Sequence, residues 1–282
     1  MGKHYIPQNY LRAFSSDPDR KLIWMFDKAT GVWTNAAIAK VAQSADYFSP
    51  EVERRLTSLV ENPGNTALNA LRRGDLPSQS EGGDLLTYIA VMLTRVPRKR
   101  LQATGIVPAV VDSVISNNRA EILAEQTRDN ENQIAELLRE LDRLEERYQT
   151  EAASLLRDEI DDPWPTGKVL QGIHSMFWRI VDVPSSTPIL TSDNPAFFFS
   201  GFGIGSPESE VTFPLSPTLV LMGCRQGPPG EVTRVRVNRP IAKEVNRRMI
   251  VGATRFVFSA RPASWTRTVA ARTQADLKRV KW

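Results

Sequence analysis

The chain has 282 residues, of which 41% are hydrophobic and 24% are charged, as is typical of an ordinary soluble globular protein. Its formal net charge of +4 permits a nucleic-acid or phosphate partner, although a solvated surface with a slight excess of arginine explains the charge as well. The single cysteine excludes an intramolecular disulfide framework, and no apolar run reaches the roughly 18 residues that a transmembrane helix needs.

The first hundred residues predict a β-hairpin followed by helices. Residues 21–27 form an apolar run, a glycine-containing turn follows at 28–31, and the chain returns over 32–34. Residues 51–73 carry apolar side chains at helical spacing, interrupted by Asn-Pro-Gly at 62–64, which predicts a kink or two helices. A second helix is predicted from Ser80 to about Thr94, before Pro97 ends or bends it.

Residues 108–160 form the longest polar region with helical spacing. Ile134, Leu137, Leu141 and Leu144 recur every three or four residues between charges of both signs. This pattern predicts a long helix or a helical hairpin that protrudes from the body. Its narrow apolar stripe either packs on the same chain or forms the seam of a homodimer or a contact with a partner protein.

In the second half of the chain, the sequence pattern changes from one typical of helices to one typical of β-strands. A buried helix is predicted over 169–183, with His174 interpreted as a core histidine. Beyond Pro188 we predict strands at 189–191, 196–199, 211–213, 219–223, 232–237 and 254–258, a helix at 241–251 and a basic amphipathic helix at 263–281. Strands at both ends of a helical middle predict an α+β fold. Its antiparallel or mixed sheet combines the N-terminal hairpin with the C-terminal strands, around a large central helical insertion.

We expect a single α+β domain over 1–282. Its sub-regions are an N-terminal motif and hairpin at 1–48, a helical region at 50–183, and a β-rich region with terminal helices at 188–282. Cys224 ends a predicted buried strand, so it is interpreted as a structural thiol. A lone cysteine and an N-terminus without the pattern of a signal peptide predict a cytoplasmic protein with no membrane partner.

The opening segment is the most informative part of the chain: His4-Tyr5-Ile6-Pro7-Gln8-Asn9-Tyr10-Leu11-Arg12-Ala13-Phe14. It resembles the bacterial family known as domain of unknown function 4238, whose members open with His-Tyr-x-Pro-Gln-x-Tyr-Leu-x-x-Phe. Residues 191–195 (Thr-Ser-Asp-Asn-Pro) and 213–217 (Phe-Pro-Leu-Ser-Pro) are similar to its two most recognisable internal motifs. Weaker similarity occurs at Glu61, 95–98, Asn246 and 253–259, so the resemblance covers nearly the whole chain. It implies kinship without an established activity, and its bacterial setting is compatible with a defence or toxin role.

Several polar residues match family motifs and lie beside a proline or at the end of a predicted element, where scaffolds display functional side chains. We predict that His4, Glu61, Arg95 and Asp193 converge in one catalytic pocket. His4 would transfer a proton, Arg95 would stabilise phosphate charge, and Glu61 and Asp193 would hold Mg²⁺ or Mn²⁺. Substrate-binding roles are predicted for Gln8, Ser192, Asn194 and Arg98.

These roles predict a metal-assisted hydrolase or nuclease that acts on a phosphodiester or a nucleotide. The chain has no phosphate-cradling glycine-rich loop, no Gly-x-Ser-x-Gly elbow and no zinc-ligand spacing. A structural alternative uses the same residues. Asp193 and Asn194 would then stabilise a turn, His4 would bind a backbone carbonyl, and Glu61 and Arg95 would form an internal ion pair.

Two non-catalytic functions also remain open. A nucleic-acid-binding module would use the basic cluster Arg95, Arg98, Lys99 and Arg100, although a basic helix end that complements the helix dipole explains the cluster as well. A protein-interaction module would use the helical region 108–160.

Overall fold

The computed structural model describes residues 3–44, 47–127, 129–161, 163–199 and 203–280, and their side chains except at 3, 99–111 and 148–161. Contacts divide the chain into two compact units, one made of Met1–Pro97 with Trp164–Trp282 and the other of Arg98–Pro163. The larger unit combines helices with β-sheets, which confirms the α+β class. The prediction of a single domain over 1–282 stays a prediction.

Helices and strands alternate irregularly along the described residues. The helices are α1 Gln8–Leu11, α2 Pro50–Leu56, α3 Asn62–Arg73, α4 Gln79–Thr94, α5 Pro97–Ala124, α6 Glu131–Asp161, α7 Gly167–His174, α8 Arg239–Gly252 and α9 Thr266–Ala270. The strands are β1 Lys3–His4, β2 Leu22–Asp27, β3 Val32–Ala37, β4 Gln43–Ser44, β5 Phe177–Asp182, β6 Thr191–Ser192, β7 Phe197–Phe198, β8 Glu210–Ser216, β9 Leu219–Cys224, β10 Val232–Arg236 and β11 Phe256–Ser259.

The strands of the larger unit form two main sheets and one small pair. An antiparallel sheet has the order β3-β2-β11-β6, and a five-stranded sheet has the order β10-β5-β9-β8-β7, in which β10 and β5 are parallel. The short strands β1 and β4 pair separately, with His4 opposite Gln43. Asp27 of β2 lies opposite Phe256 of β11, which confirms that the N-terminal hairpin joins a C-terminal strand.

The helical segment predicted over 51–73 is confirmed as two helices joined by a wider turn. Between α2 and α3 the chain makes a π-helical turn, Thr57–Glu61. Pro63 lies in the first turn of α3 and has no N–H to donate to the preceding turn, and proline is a common cause of such irregular helical turns. The helix predicted from Ser80 begins at Gln79, because Ser78 and Glu81 form a reciprocal capping box.

The helix predicted over 169–183 is wrong in its second half. Helix α7 ends at His174, and the next residues form β5 between β9 and β10. Buried side chains such as Trp178, Ile180 and Val181 point to both faces of this central strand. It therefore lacks the alternation of a half-buried strand and resembles an apolar helix in sequence. His174 is exposed, so its interpretation as a core histidine is also wrong.

The terminal helix predicted over 263–281 is wrong as well. Of this range, the residues that the structure describes form only the short helix α9 and a 3₁₀ turn at Gln274–Asp276. Residues 277–280 have no regular structure, and their backbone bonds to buried carboxylates: Lys278 N donates to Glu244 Oε1 at 2.7 Å, and Val280 N donates to Glu210 Oε2 at 3.2 Å. Tertiary hydrogen bonds replace the helical ones that the periodicity predicted.

The smaller unit is a helical hairpin made of α5 and α6, one of the two forms predicted for 108–160. Arg119 Nη2 of α5 contacts Asp142 Oδ1 at 2.7 Å and Glu145 Oε2 at 3.1 Å on α6. The predicted protrusion and the dimer seam stay predictions. Among the described residues, no helix combines the length and the apolar character needed to cross a membrane.

Candidate acid–base site

The three recognisable sequence motifs meet at the hydroxyl of Tyr10. This buried phenol shares a hydrogen bond with Thr191 Oγ1 at 2.8 Å and donates to the carbonyl oxygen of Pro214 at 2.9 Å. Nearby, Arg72 Nε donates to the carbonyl oxygen of Leu215 at 2.8 Å. Since a buried phenol needs hydrogen-bond partners, these contacts fix α1 against β6 and β8. The motifs are therefore in contact for reasons of packing, whatever chemistry they carry.

Asp193, a predicted catalytic and metal-binding residue, joins the turn that follows β6 to the residues that lead into β11. Its carboxylate accepts hydrogen bonds from the backbone nitrogens of Thr254, Arg255 and Phe256 at 2.8, 2.7 and 2.9 Å. Burial raises the pKa of the Asp193 carboxyl, and the three N–H donors act in the opposite direction. Burial raises the pKa of the Tyr5 phenol, and the negative charge of Asp193 raises it further. Asp193 therefore lies near the N-terminal segment.

Ser192 and Asn194, predicted to bind substrate, complete this turn. Ser192 Oγ donates to the carbonyl oxygen of Asn194 at 2.9 Å and accepts from its backbone nitrogen at 3.2 Å. Asn194 Nδ2 donates to the carbonyl oxygen of Gly252, at the end of α8, at 3.1 Å. Both residues are buried. This geometry agrees with the structural alternative for the Ser-Asp-Asn-Pro motif.

Three of the predicted catalytic residues converge: His4, Glu61 and Arg95. Arg95 Nη1 lies 2.6 Å from Glu61 Oε1, and Arg95 Nη2 donates to the carbonyl oxygen of His4 at 2.7 Å. Arg95 follows the last turn of α4 with φ −84° and ψ 2°, a sparsely populated backbone region common in active sites. Glu61 ends the π-helical turn, and such turns are frequent at functional sites. The internal ion pair considered in the sequence is confirmed.

His4 differs from Glu61 and Arg95 because one of its ring nitrogens is an acceptor without a hydrogen-bond partner among the described residues. This nitrogen, Nε2, is buried. Burial lowers the pKa of the His4 imidazole, whereas backbone hydrogen bonds to Ala39 and Ile38 and the charge of Glu61 act in the opposite direction. Because Nε2 makes no hydrogen bond, Nδ1 is the nitrogen that faces these carbonyls. An imidazole that donates from Nδ1 and is neutral presents an acceptor lone pair at Nε2.

Tyr88 is a neighbour of this cluster that the sequence analysis missed. Its buried hydroxyl has no hydrogen-bond partner among the described residues. Burial raises the Tyr88 pKa, and the Glu61 charge raises it further. Gly64 lets the ring approach α3, since a Cβ there would meet Tyr88 Cδ2 at 2.6 Å. A phenol in the apolar face of α4 was the available signal, but an aromatic residue in such a face is ordinary core material.

The remaining predicted residues are Gln8, Arg98 and the basic cluster. Gln8 is the half-buried first residue of α1, and its substrate-binding role stays a prediction. Arg98 is half-buried and belongs to the smaller unit. In the predicted basic cluster Arg95 is fully buried against Glu61, so it is not available to a nucleic-acid backbone. The side chains of Lys99 and Arg100 lie outside the described residues.

The predicted metal site does not fit the two carboxylates proposed for it. The Asp193 oxygens are taken up by three backbone N–H donors, and Glu61 is bound to Arg95. A Mg²⁺ or Mn²⁺ ion prefers several oxygen ligands in a near-octahedral arrangement. In the described part of the chain, no group of three or more His, Cys, Asp or Glu side chains is arranged to hold a metal ion.

A second buried ion pair, between Arg248 of α8 and Glu210 of β8, was not predicted. Arg248 Nη1 contacts Glu210 Oε1 and also donates to Thr212 Oγ1 at 2.7 Å, while Nη2 donates to the carbonyl oxygen of Lys278 at 2.6 Å. The second oxygen of Glu210 accepts from Val280 N. This pair anchors the C-terminal segment to the five-stranded sheet.

The fold and these contacts define a class of α+β protein in which a His–Glu–Arg cluster joins the N-terminal segment to two helices. The chain belongs to the family of proteins of unknown function DUF4238, whose model matches residues 3–263. This match confirms the resemblance seen in the opening and internal motifs. No curated protein and no solved structure matches the sequence.

Proposed function

We propose that this protein is a hydrolase of phosphodiesters or nucleotides in which His4 is the general base. The observation that supports the proposal is the buried Nε2 of His4, which has no hydrogen-bond partner among the described residues and lies beside the Glu61–Arg95 pair. Buried polar atoms are almost always hydrogen-bonded, so an orphaned acceptor next to an ion pair is a candidate for proton transfer. A water molecule or a substrate hydroxyl bound to Nε2 would satisfy it.

The charges around His4 suit a base that starts neutral and becomes protonated. Burial and the positive charge of Arg95 lower the pKa of the imidazole, which keeps Nε2 unprotonated at neutral pH. The negative charge of Glu61 acts in the opposite direction and stabilises the imidazolium that forms when Nε2 takes a proton from the attacking water. Glu61 is therefore a positioning and charge-stabilising residue in this proposal.

Arg95 and Asp193 receive different roles from those predicted in the sequence. Both terminal nitrogens of Arg95 are engaged, so it positions Glu61 and the His4 backbone rather than a phosphate. Asp193 holds the 191–195 turn to β11. Neither residue takes part in proton transfer, and no step passes through a metal.

The substrate class and the compartment are part of the same proposal. A net charge of +4 favours anionic substrates such as phosphodiesters. The one cysteine, Cys224, is a buried free thiol, in keeping with a reducing bacterial cytoplasm. A role in defence against foreign nucleic acid fits this chemistry.

The test is a comparison of the two histidines. Hydrolysis of bis(p-nitrophenyl) phosphate and of a panel of nucleotides is measured for the wild type, His4→Asn and the matched control His174→Asn. We expect a loss of about 10²-fold or more in kcat for His4→Asn, a smaller loss for Glu61→Gln and no change for exposed His174. The kcat of the wild type should fall as the pH is lowered through the pKa of His4, which burial holds below its ordinary value.

A wild type without turnover on any phosphodiester or nucleotide would overturn the proposal. So would a His4→Asn protein that keeps its kcat. If His4→Asn lowers the melting temperature strongly, His4→Gln provides a second variant that also lacks a titrating group. A folded His4→Gln protein with full activity contradicts the general-base role, whatever the first variant does.

A second candidate function is self-association through the helical hairpin. Leu137 and Leu144 lie seven residues apart on α6 and are exposed, as are Val114 and Leu123 on α5. A heptad spacing of exposed leucines favours a helix–helix seam. Light scattering should give a dimer for the wild type and a monomer for Leu137→Glu with Leu144→Glu. The control, Asn132→Glu with Gln133→Glu, adds the same charge at exposed positions and should remain dimeric.

A further inference from the structure

A cavity of about 600 Å³ lies between α8 and the segment that follows β11, within the larger unit. Its lining residues come from the 186–190 loop, from α8 and from 259–269. This volume lies within the range of sites that take small-molecule ligands. None of the sequence-predicted site residues lines it, so it is separate from the acid–base site.

The cavity is strongly cationic. Arg239, Lys243 and Arg247 line it from α8, and Arg261 lines it from the opposite chain segment. The first three are spaced four residues apart, so they form a row on one face of the helix. The described lining residues include no aspartate or glutamate. Within the described part of the chain, the carboxylate that contacts the row is that of Glu244, whose Oε2 lies 3.1 Å from Arg247 Nη1.

This arrangement is unfavourable for the helix by itself. Like charges four residues apart repel each other along a helix face. Arg239 is also the first residue of α8, where the helix dipole is positive and favours anions. Arg239, Lys243 and Arg261 have no carboxylate partner among the described residues. A bound anion would relieve both effects, as phosphates do at the N-termini of helices.

Two further lining residues indicate what kind of anion fits. Thr187 is 8% exposed, and its Oγ1 has no hydrogen-bond partner among the described residues. Thr187 lines the cavity, and a change of its side-chain rotamer would turn this buried hydroxyl toward a ligand. Trp265 is 41% exposed, which is unusual for so large an aromatic side chain. An indole beside a group of cations combines a surface on which a base can stack with charges that bind phosphates.

We infer that this cavity binds a free nucleotide with two or three phosphates. The phosphates contact Arg239, Lys243 and Arg261, and the base stacks on Trp265. The hydroxyl of Thr187 donates to the ligand. The inference concerns binding alone and does not depend on the acid–base site, since neither His4 nor Glu61 lines the cavity.

Calorimetric titration of the full chain with ATP, GTP and inorganic triphosphate tests the inference. The variant Arg239→Gln/Lys243→Gln/Arg261→Gln should bind ATP at least about tenfold more weakly than the wild type. The matched control Lys21→Gln/Arg54→Gln/Lys168→Gln removes three exposed cations outside the cavity and should keep the wild-type Kd. Trp265→Ala should weaken ATP about tenfold through lost stacking and leave inorganic triphosphate unchanged.

Each alternative has its own signature. No binding of ATP or GTP to the wild type overturns the inference, as does equal binding by the cavity variant and its control. Equal affinities for ATP and triphosphate, with no effect of Trp265→Ala, would reject the nucleotide in favour of an anion without a base. A ten-nucleotide single strand that binds tighter than ATP, with the same dependence on the three cations, would reject a free nucleotide in favour of a nucleic acid.

Discussion

Among the described residues, Arg95 and Arg248 are both buried, and they form the same kind of contact with the N-terminal and the C-terminal segment, respectively. Each binds a carboxylate with one terminal nitrogen and a backbone carbonyl of a chain end with the other. Arg95 joins Glu61 to the carbonyl oxygen of His4, and Arg248 joins Glu210 to that of Lys278. Both guanidinium groups are fully buried.

Both networks leave the buried Nε of the arginine without a hydrogen-bond partner among the described residues, and they differ in their acceptor groups. The Glu210 side chain is 4% exposed and accepts a further hydrogen bond from Val280, while Arg248 also bonds Thr212. The Glu61 side chain is 19% exposed, and beside it lies the unpartnered Nε2 of His4. A buried ion pair is therefore not a sign of function by itself. The orphaned acceptor distinguishes the candidate site from the anchor.

The largest expected effect is on the network of Arg248 and Glu210. Replacing Arg248 by Met leaves the Glu210 carboxylate buried without its counter-charge, which should lower the free energy of unfolding by about 3–5 kcal/mol. Urea denaturation measures the change. Arg73→Met is the control, because Arg73 and its partner Asp75 are both exposed and such a pair contributes about 1 kcal/mol or less. Similar losses for the two variants would contradict the anchoring role of Arg248.

A smaller loss is expected at the other arginine. In Arg95→Met the partly exposed Glu61 can turn toward water, so the free energy of unfolding should fall by about 2–3 kcal/mol. The carbonyl of His4 also loses its donor, which should loosen β1. Hydrogen exchange at the Tyr5 amide, which donates to the carbonyl oxygen of Ala42, should accelerate in this variant and not in Arg248→Met. An unchanged exchange rate at the Tyr5 amide would show that Arg95 does not stabilise the N-terminal segment.

Sequence reasoning found one of these networks and missed the other for a physical reason. Glu61 and Arg95 lie beside prolines at helix ends, where a charged side chain in an apolar setting requires a partner. Arg248 follows Arg247 in a helix whose exposed face is also basic, so composition does not show which of the two points inward. The helical period does contain a weak signal, since Arg248 lies three residues after buried Val245 and next to buried Met249.

Local pattern also decided which elements were predicted correctly. The capped helix α4 and the hairpin of β2 and β3 carry their own start and turn signals, and both were predicted. Strand β5 was predicted as a helix, because both its faces are buried and nothing local separates the two structures. The segment after α9 was predicted as a helix because its contacts with Glu210 and Glu244 come from distant residues.

Removing the charge of Glu61 should separate activity from stability. Glu61→Gln keeps the shape of the side chain and a neutral acceptor for Arg95, so the loss in unfolding free energy should be about 1–2 kcal/mol. Without the carboxylate the imidazolium of His4 loses its stabilising charge, and the pH at which His4 titrates should shift downward. NMR titration of the imidazole measures that shift. A His4 pKa that does not move in Glu61→Gln would argue against their electrostatic coupling.

The smallest effect is the contribution of His4 to the pH dependence of stability, and it tests the environment of Nε2 directly. Burial lowers the pKa of folded His4 below its ordinary value of about 6.5, so the folded chain binds fewer protons than the unfolded chain. The stability linked to His4 is therefore fully present above pH 6.5 and is lost as the pH falls through the lowered pKa. The slope from this one group is at most about 1.4 kcal/mol per pH unit.

Urea denaturation between pH 5 and 8 should show this slope in the wild type and in His174→Asn, and a reduced slope in His4→Asn. Carboxylates titrate alike in all three proteins, so the difference between wild type and variant isolates the histidine. Because the chain has two histidines, NMR of the wild type and of each variant assigns both titrating signals. A His4 signal that titrates at or above pH 6.5 would mean that Nε2 is hydrated or paired in solution, and the Arg95 network would then be an anchor like that of Arg248.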